Sequence, residues 1–327
     1  MEKEYDVFAT GNALMDLILD SDGSHIDMLK MHKGGIIFLD DENAKVTIPR
    51  ILDENPAILP GGAAANVISM LAHLGSKTFF SGKVGSDYLG TQYKSMLEKE
   101  GTKTSIAIDE VHTGTAITII TPDRERSFAV YLGSAPRISK DDIDFDSIIK
   151  SKIVHIEGFQ FYDKNLRNLM IEIAKTAKKN DCLISFDLSS FDLVKQYKKE
   201  VEEFIVEYVD VLFANEIESE SFTGKNPDES VEMLSKLADV AIVKIGEEGS
   251  LIKSKGEFYK IKSHPVEVVD TNGAGDAYAG AFLHAYIQDK PILECGNLAS
   301  YAASKVVSIK GARLQTSLKQ EILSILN

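Results

Sequence analysis

The stretch DTNGAGDAYAG, from Asp270 to Gly280, decides both the fold and the candidate chemistry of this chain. Glycines on either side of one alanine lead directly into small residues that favour a helix. Because glycine leaves the backbone free to turn, N–H groups of this loop can converge on one point, and a helix N-terminus adds a partial positive charge. The stretch therefore predicts an anion site with Asp276 at its mouth. A simpler interpretation, a strand-to-helix turn with Asp276 as the N-cap, stays open.

The segments around this stretch indicate an α/β protein. HPVEVVD before it has the pattern of a strand, and AYAGAFLHAYIQ after it has the pattern of a helix. Further strand-like segments are YDVFAT, KTFFSGKV, IVHIEG, CLISFDL, VDVLFAN and ADVAIVKIG. Helices are predicted over 63–74, 87–100, 165–179, a segment ending near 208, 275–288 and 292–308. This alternation predicts a three-layer α/β/α fold with a mostly parallel central sheet.

Two regions break the alternation and predict a small inserted β element. Short strand signals, GGIIFLDD and KVTIP, stand without a crossover helix, and three strand-like pieces, SIAID, TAITII and RSFAVYLG, follow one another later in the chain. We expect lid segments at about 15–50 and 104–133, inserted in a single catalytic domain that covers residues 1–327. A β element of this kind beside a site often acts as a lid.

Two further loops that follow strands contain candidate contacts for a ligand. In PGGAAAN, Gly61 and Gly62 permit close approach of a ligand, and Asn66 offers both a donor and an acceptor. In TGNALMD, Asp16 can accept two hydrogen bonds from a diol, and Asn12 is a neighbouring candidate. Each loop also has an ordinary interpretation, a glycine turn for the first and a turn or cap residue for the second.

The segment NEIE predicts a metal-organising pair. Asn215 and Glu218 are three residues apart, so both side chains can lie on one helical face. A carboxylate beside an amide suits a hydrated Mg²⁺ ion, which prefers oxygen ligands and keeps several waters. An acidic helix start without a metal is the simpler alternative.

Composition excludes several classes of partner. The 327 residues include 50 acidic and 36 basic side chains, for a net charge of −14, and no basic stripe is present. Nucleic acid is therefore not an expected partner, and an anionic membrane surface is disfavoured. Cys182 and Cys295 both lie in apolar stretches, which predicts buried thiols in a reducing compartment and a cytoplasmic location.

Several competing enzyme classes lack their motifs. No G-x-x-x-x-G-K-[ST] occurs, no G-x-G-x-x-G follows the first strand, and no H-R-D loop is present. These absences argue against a P-loop enzyme, a nicotinamide-dependent oxidoreductase and a protein kinase. The seven histidines show no metal-ligand spacing.

Taken in order, these stretches resemble the ribokinase-like, PfkB-type family of carbohydrate and nucleoside kinases. GGAAANVISMLAHLG, continuing to GKVGSDYLG with Asp87 and Gly90 in register, is similar to the first signature of that family. DTNGAGDAYAGAFL is similar to the second signature, and NEIE to the N-x-x-E motif. The resemblance covers nearly the whole chain and implies a ribokinase-like fold.

The resemblance implies transfer of the γ-phosphoryl group of ATP to a CH₂OH group of a sugar or nucleoside. It implies that Asp276 is the base and that backbone amides of Gly273, Ala274, Gly275 and Asp276 hold the transferring group. It places the sugar hydroxyls against Asp16, Gly62 and Asn66, with Asn12 and Gly61 beside them, and Mg²⁺ and its water against Asn215 and Glu218. The implied ATP contacts are Lys244, Gly246 and Gly249 in KIGEEG, Thr271, and Asn297 near the adenine.

This sequence departs from the common family pattern at two positions. Lys244 stands where threonine is frequent, and Asn272 is the third residue of the second signature. Together with GNALMD, the second departure resembles the adenosine-kinase branch, so adenosine is the first expected substrate and a sugar such as ribose or fructose is the alternative. A non-catalytic nucleoside- or sugar-binding regulator is the least favoured interpretation, because a pure binder needs no base.

Two further expectations follow from the family. A K⁺ ion near residues 270–272 is one, and the residue types leave it open. The chain is expected to be a monomer or a homodimer, since exposed strand edges of a lid invite pairing.

Overall fold

The computed structural model describes residues 2–314 and 317–326, which fold into two β-sheets and the helices around them. The strands are β1 (Tyr5–Thr10), β2 (Leu14–Asp20), β3 (Ile36–Phe38), β4 (Ala57–Gly61), β5 (Thr78–Gly85), β6 (Lys103–Asp109), β7 (Gly114–Ile120), β8 (Arg126–Tyr131), β9 (Ser151–Glu157), β10 (Leu183–Asp187), β11 (Val211–Asn215), β12 (Val240–Lys244), β13 (Ser250–Ser254) and β14 (Glu257–Ile261).

The α-helices are α1 (Ser24–Met28), α2 (Asp41–Asp53), α3 (Ala63–Leu74), α4 (Tyr88–Lys99), α5 (Phe145–Ile149), α6 (Lys164–Lys179), α7 (Phe191–Tyr208), α8 (Glu216–Thr223), α9 (Pro227–Leu234), α10 (Ala274–Tyr286), α11 (Ile292–Val307) and α12 (Lys319–Leu323). Short 3₁₀ turns lie at Ala135–Arg137, Lys140–Asp142, Gly158–Tyr162, Gly246–Glu248 and Ser324–Leu326.

The larger sheet has nine strands in the order β14-β13-β12-β11-β10-β9-β1-β5-β6. Its strands from β12 to β6 run parallel, and β13 and β14 add an antiparallel hairpin at one edge. Each face of the sheet packs on its own apolar core, because successive side chains of a strand point to opposite faces. In β1, for example, Val7 and Ala9 pack with α3, α10 and α11, while Phe8 packs in the core that includes α6 and α7. The predicted α/β/α fold is confirmed.

The smaller sheet has five strands in the order β3-β8-β7-β2-β4 and contains most of the inserted β element predicted from the sequence, so it is called the lid below. On one of its faces Asp16 lies opposite Ala116, Ala116 opposite Val130, and Val130 opposite Phe38. This row is called the Asp16 row below. Because Ile18, Thr118, Phe128 and Ile36 form the neighbouring row on the same face, the face is largely apolar around one carboxyl group.

The predicted lid boundaries differ from the observed sheet in two strands. SIAID belongs to β6, which pairs in parallel with β5 in the larger sheet, so its prediction as a lid strand was wrong. A parallel pair needs a crossover helix, and α4 supplies it. The lid sheet instead gains β4 (57–61), which lies outside the expected segment 15–50 and pairs antiparallel with β2.

Three local predictions were wrong for identifiable reasons. KVTIP is helical, because Asp40 accepts a hydrogen bond from the N–H of Asn43 at 2.8 Å and begins α2. HPVEVVD is not a strand; the N–H groups of Val269 and Asp270 donate to the carbonyl of Val307 at the end of α11, at 2.9 and 3.0 Å. Asp16 lies within β2 instead of in a loop after the first strand.

Replacement of Gly62 by alanine tests how tightly the start of α3 packs on the first loop. Gly62 has φ 92°, and a Cβ there would meet the carbonyl oxygen of Asn12 at 2.0 Å. Gly101 has a similar φ of 95°, but a Cβ there would meet open space. Positive φ alone costs alanine about 1–2 kcal/mol. We therefore expect Gly62→Ala to lower the free energy of unfolding, measured in urea, by clearly more than Gly101→Ala; equal losses would contradict the packing assignment.

Candidate active site

Predicted site residues from distant parts of the chain, and one residue that was not predicted, meet at the carboxyl ends of the parallel strands. Asp187, Asn215 and Lys244 are the last residues of three adjacent strands, β10, β11 and β12. The starts of α3, α8 and α10 lie at this same end, so helix N-termini and strand ends line one cleft.

The start of α10 differs from the starts of α3 and α8 because no side chain among the described residues accepts a hydrogen bond from its first N–H groups. Glu157 accepts a hydrogen bond from the N–H of Ala64 in α3, and the side chains of Asn215 and Glu218 cap α8. In α10, the N–H groups of Gly275 and Asp276 have no acceptor within residues 2–314 and 317–326. Helix N-termini leave such donors available to an anion.

A close approach of two helices brings Asn66 to Asp276. A Cβ on Gly280 would meet the carbonyl oxygen of Val67 at 2.7 Å, so this glycine lets α10 pack directly on α3. Asn66 Nδ2 then donates to Asp276 Oδ2 at 2.8 Å. The predicted base is therefore held by a side chain that the sequence placed with the sugar contacts.

Asp276 is more basic than the helix dipole alone predicts. Burial raises the pKa of Asp276 to about 7, and the hydrogen bond from Asn66 opposes that rise. The dipole of α10 favours the ionised form of this carboxyl group, but desolvation outweighs that effect and raises the pKa.

Asp16 and the two predicted glycines form one packed unit. A Cβ on Gly61 would meet Asp16 Oδ1 at 2.2 Å, so the absence of a side chain at this position makes room for the Asp16 carboxyl group. The space beside Gly62 is filled by the carbonyl oxygen of Asn12. Burial raises the pKa of Asp16 to about 7, while Arg313 acts in the opposite direction. Asn12 Oδ1 is buried without a hydrogen-bond donor among the described residues, which leaves it available to a ligand.

Glu157, at the end of β9, binds two backbone segments of the site and was not predicted from the sequence. Its Oε1 accepts from the N–H of Asn12 at 2.8 Å and from Gln160 Nε2 at 2.9 Å, and its Oε2 accepts from the N–H of Ala64 at 2.8 Å. The side chain is fully buried, and burial raises its pKa. One carboxyl group thus joins the loop after β1 to the start of α3.

Lys244 lies beside the start of α10, where the sequence predicts an anion site. Its Nζ donates to Asp187 Oδ2 at 2.8 Å and lies 3.1 Å from the position of a Cβ on Gly275. Burial lowers the pKa of Lys244, but Asp187 and Glu218 outweigh that effect and hold it above its usual value. A protonated amine therefore lies next to the free N–H groups of α10. Asp187 was another residue missed from the sequence.

Asn215 and Glu218 bind each other at the start of α8. The N–H and Nδ2 of Asn215 donate to Glu218 Oε2 and Oε1, and the N–H of Glu218 donates to Asn215 Oδ1, each at 2.8 Å. Each Glu218 oxygen keeps a further lone pair, which fits contact with a water of hydrated Mg²⁺. The part of the chain that the structure describes contains no cluster of three or more His, Cys, Asp or Glu that could hold a metal directly. An ion here would depend on waters and phosphate oxygens, as Mg²⁺ commonly does.

The remaining predicted nucleotide contacts lie around the β12–β13 connection and α11. Gly246 has φ 56° with open space at its Cβ position, whereas a Cβ on Gly249 would meet the carbonyl oxygen of Ile261 at 2.0 Å. Gly249 is thus required by packing of the hairpin. Thr271 is exposed, and Asn297 is half-buried in α11.

Comparison with known proteins agrees with this geometry. The profile of the pfkB family carbohydrate kinases matches residues 44–319. The chain belongs to the pfkB family of carbohydrate kinases. This membership confirms the predicted family and a phosphotransferase that acts on a sugar or nucleoside hydroxyl, and it sets aside the oxidoreductase and regulator interpretations. Kinases of this family use ATP, generally with Mg²⁺.

Similar proteins of this family carry different substrate names. A nucleoside kinase of Methanothermobacter thermautotrophicus is 29% identical over 316 residues, 96% of this chain and 93% of that protein. Fructokinase-2 of Solanum lycopersicum is 30% identical over 256 residues, 74% of this chain and 78% of that protein. Adenosine kinase from Sinorhizobium meliloti has a solved structure with a TM-score of 0.89 and 28% identity, covering 98% of this chain and 99% of that one.

An arginine on the lid of this kinase contacts the segment that leads into α10. Arg126 Nη1 lies 2.9 Å from Asp270 Oδ1, and Nη2 donates to the carbonyl of Val269 at 2.6 Å. The Asp270 carboxylate also accepts from the N–H groups of Asn272 and Gly311, each at 2.8 Å. The lid is therefore attached to the segment that leads into α10. The K⁺ ion expected near this loop stays a prediction.

Loss of this ion pair is expected to loosen the lid. Arg126→Gln removes a largely buried guanidinium from Asp270, whereas Arg124→Gln removes a 70% exposed guanidinium that lies 4.0 Å from Glu267. Exposed pairs contribute little. Hydrogen–deuterium exchange should rise in β8 and in residues 264–272 for Arg126→Gln and stay near wild type for Arg124→Gln. Equal exchange in both variants would show that the pair does not hold the lid.

No helix in the part of the chain that the structure describes has both the length and the apolar composition needed to cross a bilayer.

Proposed function

We propose that this chain is an ATP-dependent nucleoside kinase that phosphorylates the primary hydroxyl of its substrate, with adenosine as the first candidate. The apolar face of the lid around Asp16 carries this proposal. A pentose needs a polar surface for its hydroxyl groups, and Asp16 and Asn12 supply one. The lid face beyond them offers a ring such as a nucleobase an apolar surface.

The size of this face favours a substrate longer than a simple sugar. Val130 lies two strands from Asp16 along the Asp16 row, which corresponds to about 10 Å at the usual strand spacing. Farther along the same face, Phe38 is 72% and Ile36 is 62% exposed. Exposed aromatic and aliphatic side chains on the ligand side of a lid suit stacking and burial of a flat base.

The residues around α10 support a division of labour in phosphoryl transfer. Asp276 accepts the proton of the substrate hydroxyl through the oxygen that Asn66 does not occupy. The N–H groups of Gly275 and Asp276, with Gly273 and Ala274 shaping the turn, face the transferring group, and the Lys244 ammonium lies beside them. Positioning and charge neutralisation of this kind are what a loose phosphoryl transition state requires.

Bound Mg²⁺ would neutralise phosphate charge, with its waters held by Asn215 and Glu218. The Asp187 carboxylate accepts a hydrogen bond from Lys244 and so keeps its ammonium group near Gly275. Gly246, Gly249, Thr271 and Asn297 keep their proposed place along the nucleotide. Lid closure over the substrate excludes water that would otherwise compete as acceptor.

A substrate panel tests the proposal. ADP release is measured with MgATP and adenosine, other nucleosides, ribose or fructose. We expect the highest kcat/KM for adenosine or another nucleoside. A preference for fructose or ribose would identify a sugar kinase of the same family, and no substrate-dependent ADP release with any of them would defeat the proposal.

Phe128→Ala sharpens this test, because Phe128 lies on the apolar lid face next to the Asp16 row. It should raise KM for the nucleoside relative to KM for a pentose. Phe258→Ala removes a half-exposed ring from β14 and serves as the matched control. The ratio of the two KM values is insensitive to a general loss of stability, so an unchanged ratio in Phe128→Ala would contradict a base on this face.

Asp276→Asn tests the base. Asparagine keeps the size of the side chain but cannot accept the proton, so kcat should fall by about 10²- to 10⁴-fold while ATP still binds. In the wild type, kcat/KM should fall as the pH drops below about 7, because protonation of Asp276 and Asp16 removes their acceptor forms. Turnover that survives in Asp276→Asn, or a flat profile between pH 5 and 8, would refute the assignment.

A further inference from the structure

A buried arginine outside both family signatures contacts the side chain that holds the proposed base. Arg313 is 4% exposed and follows Gly311, whose N–H binds Asp270. Its Nε donates to Asn66 Oδ1 at 2.8 Å, and its Nη1 lies 3.1 Å from Glu100 Oε2. Asn66 in turn donates to Asp276 at 2.8 Å. We propose that Arg313 is a positioning residue that fixes the orientation of the Asn66 amide and, through it, the Asp276 carboxylate. The inference rests on the proposed role of Asp276 as base.

The chemistry of the partners leaves only one orientation of the Asn66 amide. An arginine can only donate hydrogen bonds, so it must face the amide oxygen. A carboxylate can only accept them, so Asp276 must face the amide nitrogen. Because Asn66 lies between a donor and an acceptor, Arg313 makes the wrong amide orientation costly: it would set two donors and two acceptors against each other.

This arrangement selects which Asp276 oxygen is available to the substrate. Oδ2 accepts the Asn66 hydrogen bond, which leaves Oδ1 for the hydroxyl proton. The same bond opposes the effect of burial on the pKa of Asp276. Without Arg313 the amide can turn its oxygen toward Asp276, an arrangement that favours the protonated carboxyl. The expected consequence is a lower kcat. The fall of kcat at acidic pH, called the acidic limb below, should also shift to higher pH.

The anchor of Arg313 lies away from the reacting groups. Glu100 follows the last residue of α4, and Arg313 reaches it with a nitrogen that does not contact Asn66. Glu100 thus orients the guanidinium through Nη1, while Nε contacts Asn66. Its second terminal nitrogen, Nη2, is buried with no acceptor among residues 2–314 and 317–326. A side chain kept charged at this cost in solvation is consistent with a role beyond stability.

Other charged groups also face Asp276 and must stay constant in the experiment. They are Asp16, Glu157, Asp187, Glu218 and Lys244. Loss of the Arg313 charge acts directly on Asp16, since Arg313 lowers the pKa of that group. Because Asp16 is proposed to bind the substrate, we expect the direct effect on Asp16 to change KM. We expect the effect that Arg313 exerts through Asn66 to change kcat.

The experiment compares Arg313→Met, Arg313→Lys and Glu100→Gln in the full chain, with adenosine and MgATP, as kcat and KM from pH 5 to 9. Arg313→Met should lower kcat by about 10- to 100-fold and move the acidic limb of kcat to higher pH. Arg313→Lys, which keeps a donor, should recover part of both effects. Glu100→Gln removes the charge of the anchor but keeps an acceptor for Arg313 and the contact with Asn66, so it should leave the limb close to wild type.

A double variant separates this inference from the proposed function. If Arg313 acts through Asp276, Arg313→Met should reduce the residual turnover of Asp276→Asn little further, so the two losses are not additive. Additive losses, or an unchanged kcat and limb in Arg313→Met, overturn the inference while leaving the base in place. If Arg313→Met does not fold, an unchanged kcat and limb in Arg313→Lys overturns it instead. Full turnover in Asp276→Asn refutes the base itself.

Discussion

The arrangement of this molecule depends on the full or partial burial of several carboxyl groups at one end of a parallel sheet. Asp16, Glu157, Asp187, Glu218 and Asp276 converge there. Desolvated carboxylates close together are unfavourable unless each is hydrogen-bonded or paired. The fold satisfies them in different ways: Glu157 accepts three N–H groups, Glu218 binds Asn215, and Asp187 pairs with Lys244. Asp16 and Asp276 receive the least compensation, and these are the two that we propose to contact the substrate hydroxyl groups.

Features with local causes could be predicted from the sequence. The helix 63–74 was predicted to the residue, because its apolar spacing and the flanking glycines are all local signals. The expected start of α4 at Asp87 became its N-cap, which accepts from the N–H of Gly90 at 2.8 Å. The ordered signatures also identified the family, since each glycine-rich loop precedes a helix at the carboxyl ends of strands.

Features set by distant partners could not be predicted. Glu157 and Asp187 end strands in ordinary apolar patterns, and Arg313 follows a short loop near the end of the chain, so no neighbour in sequence marks them. The partners that place them in the site are distant in sequence: Lys244 is 57 positions from Asp187, and Asn66 is 247 positions from Arg313. HPVEVVD failed for the same reason: its alternation fits a strand, but its end binds the last turn of α11. Helix 41–53 shows that a proline does not exclude a helix whose cap and buried face agree.

The pKa of Asp276 answers a difficulty that the sequence alone raises. An aspartate with the ordinary pKa near 4 is a poor acceptor for an alcohol proton, so the base must rely on a late proton transfer. Burial raises this pKa to about 7, and the proposed base gains from this because a general base is most effective when its pKa lies near the working pH. Burial alone would also protonate the group at neutral pH, and the Asn66 hydrogen bond limits that outcome. The opposing effects of the buried cleft and of the amide that Arg313 orients therefore keep the carboxyl both basic and available, and neither effect suffices by itself.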